Sequence, residues 1–153
     1  RLRASGPNAL PERTPDQPWR RLLRQFQSPR IYILLFALYV QFHGDYGPGG
    51  GFQAGVIAAS AVILLAITCG LDLAHRIAPQ ALVQRMVPLG VLIYAGTGVA
   101  GLLLGKNYLD YSVFSHDSAH GHELGIFLVE AGVLITVAGT MTSLFYAFVE
   151  RGR

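Results

Sequence analysis

Charge is what this sequence has least of. Only 14% of its 153 residues are Asp, Glu, Lys or Arg, against about 25% in an ordinary soluble domain. Hydrophobic residues make up 52%, and a chain this short supplies one core only. An ordinary soluble fold is excluded, because a very greasy core would sit under a thinly charged surface. Cysteine is scarcer still. Cys69 stands alone inside a hydrophobic stretch, which excludes an intrachain disulfide and leaves a small apolar side chain. No Ser/His/Asp or Cys/His arrangement can be assembled from the polar residues, so the chain does not read as an enzyme. The Arg-rich, Pro-rich start has no apolar core followed by a cleavage site, and it does not read as a signal peptide.

What is there instead is long and apolar. Residues 46–71 and 86–105 carry no charge, and residues 124–149 carry only Glu130. Crossing the hydrocarbon of a bilayer takes roughly 20 such residues in a helix. The expected class is therefore an all-α integral membrane protein with four transmembrane helices and an N-terminal interfacial helix. Approximate spans are 29–43, 51–71, 87–105 and 123–149, within a membrane domain of residues 29–150. Ser28 and Pro29 supply a helix start, an N-cap followed by proline at the first helical position. The first span is short, on the order of 20 Å against a hydrocarbon core of about 30 Å. It needs its neighbours, or an extension back through Arg24, to cross.

Residues 1–28 read as a cytoplasmic tail followed by an amphipathic helix. Four of the eight prolines fall before Trp19. From there Trp19, Leu22, Leu23 and Phe26 share one helical face and arginines take the other, as in a helix lying on an anionic leaflet. Basic residues also set the orientation. Seven arginines lie before Ile31, Arg76 and Arg85 lie in the second loop, and Arg151 and Arg153 close the chain. Four spans with both termini cytoplasmic thus place eleven of the twelve basic residues inside.

Two glycine patterns organise the spans. The first is the turn from His43 through Gly44, Pro48, Gly49, Gly50, Gly51 and Phe52 to Gly55. Its glycines permit backbone conformations and approaches that a Cβ forbids. No Gly-Lys-Ser/Thr follows, so it is no phosphate loop. It reads as a tight re-entry, after which Gly51 and Gly55 let another helix pack closely. The second pattern is Gly125, Gly132 and Gly139, spaced by seven on one stripe of the last span. Such a stripe is a packing seam, and Gly101 with Gly105 suggests a weaker one. Several seams on so small a chain suggest a subunit packed among others.

Glu130 lies within that last span, where a charged carboxylate costs roughly 2.5 kcal/mol or more on insertion scales. It must face a polar cavity or a partner, or remain protonated. At 100° per residue it stands about 160° from the glycine stripe and on the face of Glu123, so the two faces need different neighbours. Both acids are candidates for an ion path; the alternative is a hydrogen bond to a neighbour that never titrates. His116, His120 and His122 crowd the loop before the span. They are weak candidates for a metal shell, with a pH-sensitive or plainly solvated loop as the alternatives. No cofactor is expected.

Ala37-Leu38-Tyr39-Val40, His43-Gly44 and Pro48-Gly49-Gly50-Gly51-Phe52-Gln53-Ala54-Gly55, together with Tyr108-Leu109-Asp110-Tyr111 and the run from His122 to Val133, resemble the MnhB/MrpB-like subunits of the Mrp (Mnh) multisubunit cation/proton antiporters. The resemblance covers roughly residues 29–149. It implies a small four-helix subunit of an assembly in a bacterial or archaeal plasma membrane that exchanges cytoplasmic Na⁺ for external H⁺, with other membrane subunits and the lipid bilayer as partners and no nucleic acid. The implied role is structural or path-lining; Pro48 to Phe52 form the signature turn, and no catalytic site carries over. Related subunits occur in membrane-bound hydrogenases, which leaves that parent complex as an alternative. A self-contained tetraspan metal-binding or metal-transporting protein using the histidine segment is another.

Overall fold

The computed structural model describes residues 29–44, 49–115 and 118–152. The tail and interfacial helix expected over residues 1–28 lie outside the described residues, as do Pro48 and His116. Described elements are α1 (Pro29–Phe42), α2 (Gly51–Cys69), α3 (Leu71–Ile77), α4 (Gln80–Leu103), a 3-10 turn (Tyr111–Phe114) and α5 (Ser118–Arg151). The chain is all-α. Three helices are long and apolar enough to cross a membrane: α2, α4 and α5 from His120 onward. The fourth apolar helix, α1, has 14 residues, about 21 Å at 1.5 Å per residue. Its shortness was expected from the sequence.

Large apolar side chains cover the outside. Leu92, Leu103 and Phe148 are 67%, 81% and 72% exposed, a surface that water would penalise and that lipid or protein would accept. The inside is made of small residues. Helix α5 packs against α2 on one side and α4 on the other, and α1 packs on α2. Where α4 crosses α5 the contact is backbone on backbone. A Cβ on Gly132 would stand 2.8 Å from the Gly90 carbonyl oxygen and 3.0 Å from the Tyr94 nitrogen. One on Gly90 would collide with Thr136 and the Gly132 carbonyl. Hydroxyls along the seam are absorbed by their own helix: Thr136 donates to Gly132 O at 2.9 Å and Thr97 to Ile93 O at 2.8 Å.

Helix ends differ from the expected boundaries for local reasons. The second span stops at Cys69 because Gly70 adopts φ 91°, ψ 154°, a conformation left to glycine. Helix α3 then turns back over the bundle end, where Leu65, Ala66, Leu71, Ala74, Val83 and Tyr146 form a buried cluster. Tyr146 is fully buried, and its hydroxyl donates to Ala78 O at 3.1 Å. The third span begins at Gln80, seven residues before its expected start, and continues through Pro88. At its other end Gly105, with φ 77°, is a helix stop rather than a seam residue. Gly105 N donates to Leu102 O and Lys106 N to Gly101 O, the pair of bonds that closes a Schellman motif.

The histidine segment also changes. Expected as a loop, it is helical from Ser118 onward. Gly121 lets the first turn of α5 lie against the 3-10 turn, since a Cβ there would come 2.8 Å from Tyr111 O. That tertiary contact outweighs the weak helix propensity of Gly and His.

Candidate functional site

The site forms where the end of α1, the glycine turn and the start of α2 meet the middle of α5. Glycine is required here by geometry. Gly50 has φ 99° and ψ −177°, a region essentially closed to residues with a Cβ. Its N–H donates at 3.1 Å to Val40 O, which also accepts from His43 N at 3.3 Å, and its own carbonyl accepts from Ala54 N at 3.1 Å. One residue thus ends the turn and begins α2. Gly51 is buried, and a Cβ on it would overlap the backbone carbonyl of Glu130. Backbone therefore touches backbone between α2 and α5 at the glutamate itself.

The Glu130 carboxylate lies against this turn. Its Oε1 would be 2.9 Å from a Cβ on Gly50 and 3.2 Å from one on Gly44, so the two glycines flank it closely. The N-terminal end of α2, where unpaired N–H groups and the helix dipole carry partial positive charge, borders the same space. From α1, Gln41 Nε2 donates to Glu130 Oε2 at 3.3 Å. Gln41 is 4% exposed, and its Oε1 is buried without a hydrogen-bond partner among the described residues. A buried oxygen left unsatisfied costs about 1–3 kcal/mol, so the amide stands in a strained balance beside the carboxylate. Phe42 and Phe127, stacked at 5.5 Å, flank the α1–α5 contact.

Sequence-predicted residues divide around this point. Glu130, Gly49, Gly50 and Gly51 converge on it. Gly49 fits under the α1 end, 2.7 Å from Val40 O to its would-be Cβ. His43 stands at the rim with its ring stacked 4.8 Å over Tyr39, and Phe52 is 61% exposed. Glu123 lies seven residues back on α5, about 10 Å along the axis, and is exposed. The packing glycines serve other contacts: Gly55 meets Val137 and Leu134 of α5, Gly125 meets the Tyr111 ring, and Gly132 and Gly139 meet α4. The two faces of α5 thus have the two different neighbours that the sequence called for, both within this chain. His120 and His122 are exposed on the first turns of α5. Among the described residues no three His, Cys, Asp or Glu side chains gather closely enough to hold a metal.

Gln41, beside the carboxylate, and Tyr146, in the buried cluster, are residues that sequence reasoning missed. Gln41 carried a signal, as the one amide in the apolar helix that leads into the glycine turn. Tyr146 carried none, since an aromatic in an apolar span is unremarkable. Outside the spans, Asp110 caps the 3-10 turn, accepting from Ser112 Oγ at 2.6 Å and Ser112 N at 3.1 Å. Those bonds hold its carboxyl below the usual value of 3.8. Burial raises the Tyr111 phenol above its usual 10.0.

Comparison with known proteins follows the same residues. A family model described as a domain related to the MnhB subunit of Na⁺/H⁺ antiporter matches residues 29–143. A model of the cation transporter/ATPase N-terminus matches residues 1–40, less than half of the chain. Antiporter subunit mnhB2 of Staphylococcus haemolyticus is 33% identical over 130 residues, covering 82% of this chain and 92% of that protein. The B-type subunit of the Na⁺/H⁺ antiporter of Alkalihalophilus pseudofirmus is 33% identical over 119 residues, 71% of this chain and 82% of that protein. Its Bacillus subtilis counterpart is 28% identical, with the same coverage.

Proposed function

Because this chain belongs to the family of domains related to the MnhB subunit of Na⁺/H⁺ antiporters, we propose that it lines the ion path of a multisubunit cation/proton antiporter, with Glu130 as its ion-handling group. It is a multi-pass membrane subunit, and a transporter component rather than an enzyme. Its partners are the other subunits of the antiporter. Na⁺ and H⁺ are the ions exchanged, and the location is the plasma membrane with both termini cytoplasmic. The distribution of basic residues supports that orientation.

One observation carries the reading. Glu130 stands in a 34-residue helix, in a run otherwise without charge, and its carboxylate is met by a conformationally special glycine, a helix N-terminus and a buried amide. A carboxylate serving only to pack α5 would not need a buried amide from α1 and the glycine N-cap of α2 around it. An ionisable residue inside a span that is given such partners marks a pathway by default. Glu130→Gln tests it in the intact complex. The substitution keeps the shape and removes the charge, so Na⁺-dependent proton movement in everted vesicles should slow at least tenfold while the subunits co-purify as in the wild type. Unchanged transport would remove Glu130 from the path.

A further inference from the structure

The amide of Gln41 does more than hold the glutamate. Resting on the ion-path reading of Glu130, we infer that Gln41 and Glu130 together form a binding site for a small monovalent cation of the Na⁺ class, with Gln41 Oε1 as a ligand.

The geometry supplies the reason. Gln41 Nε2 is 3.3 Å from Glu130 Oε2, while Oε1, on the other arm of the same amide, is buried and has no partner among the described residues. The two arms of an amide are nearly the same size. Half a turn about the last side-chain bond therefore brings Oε1 to the place of Nε2, facing the carboxylate. Two oxygens that share a hard cation at bonds of about 2.4 Å and a right angle lie about 3.4 Å apart. The pair thus already has the spacing of adjacent ligands for a cation of that size, and a larger ion such as K⁺ would need it to widen.

The two amide orientations correspond to different states of one carboxylate. With Nε2 inward, the orientation observed, the amide donates to the carboxylate, which suits the ionised form. With Oε1 inward, it accepts the O–H of a protonated Glu130 or ligates a cation held by the ionised one. Cation arrival releases the carboxyl proton and cation departure permits its return, one positive charge for one, so the local charge is unchanged across the exchange. Among the described residues, few other charges intervene. His43 ends α1 with its ring on Tyr39, Glu123 is exposed further along α5, and α2 has no titratable group before Cys69. Helix α4 packs on the opposite, glycine face of α5.

The test measures antiport by the whole complex in everted vesicles as a function of Na⁺ concentration, at alkaline pH above the carboxylate range. Gln41→Leu should raise the KM for Na⁺ about tenfold or more with the maximal rate nearly kept, because it fills the volume and removes the oxygen. Gln41→Glu keeps an oxygen there, and its KM should stay at or below the wild-type value. A KM within twofold of wild type for Gln41→Leu overturns the site. If Gln41→Leu does not assemble, Gln41→Glu decides alone, a raised KM being the refuting result. Glu130→Gln separates the two levels. Loss of transport there with normal Gln41→Leu kinetics removes the cation site and leaves the path, whereas normal transport in Glu130→Gln removes both.

Discussion

Gly132→Ala is the most direct test of how this bundle is held. The methyl group would enter the α4–α5 crossing 2.8 Å from Gly90 O and 3.0 Å from Tyr94 N. Both are backbone atoms within a helix, so no side chain can swing aside. Restoring an ordinary contact of 3.4 Å to the carbonyl requires the helices to part by about 0.6 Å. A gap of about that size forfeits a quarter or more of the dispersion energy along the seam. Where lipid is as apolar as the helices, close packing is much of what holds them together. Overpacking of this kind costs about 1–3 kcal/mol. Alanine also gains about 1 kcal/mol over glycine by helix propensity, and a control must remove that gain. Gly96 is the control, since it lies on α4 with nothing within 4 Å of an added Cβ. Stepwise SDS titration of the purified complex, following retention of this chain, should place Gly132→Ala about 1–3 kcal/mol below Gly96→Ala. Equal midpoints, or a more stable Gly132→Ala, would refute the backbone-contact account of the seam.

Other expectations can be checked alongside. Gly50→Ala forces a Cβ into a glycine-only conformation and to 2.9 Å from Glu130 Oε1. A strain of about 1–3 kcal/mol should appear as reduced retention in the complex and slower Na⁺-dependent proton movement together. Tyr146→Phe removes the bond to Ala78 O and leaves a carbonyl unsatisfied, so about 1–3 kcal/mol should be lost in the same titration. Asp110 gives a pH dependence. Its carboxyl is depressed below 3.8 by Ser112, so its hold on the 3-10 turn is complete above that value and is lost as pH falls through the lower folded value. Protection of the Ser112 amide from hydrogen exchange should therefore be level from neutral pH down to the usual carboxylate range. It should fall only below that range, and Asp110→Ala should abolish it at neutral pH.

Several elements could be read directly from the residues. Seven-residue spacing put Gly125, Gly132 and Gly139 on one stripe, and 3.6 residues per turn then put Glu130 on the other side. The sequence suggested other subunits as the neighbours of those seams. In the fold, α4 and the Tyr111 ring fill the glycine side and the α1–α2 turn fills the Glu130 side. Helix ends were less legible because they depend on contacts made elsewhere. Gly105 looked like a seam partner of Gly101 by spacing, yet its positive φ makes it a helix stop. The histidine segment looked like a loop by composition, and docking on the 3-10 turn makes it helical.

Sequence alone determined the class, the apolar spans and the glycine positions, because lipid burial and backbone sterics act on residue type before any partner is chosen. It also isolated Glu130, since one carboxylate in an apolar run has to be explained whatever surrounds it. Which groups surround it was decided only by tertiary structure. Gln41 is 89 residues away along the chain, and nothing local to either residue joins them. They meet because glycines at the start of α2 allow its backbone to reach α5, and that approach carries the end of α1 to the carboxylate.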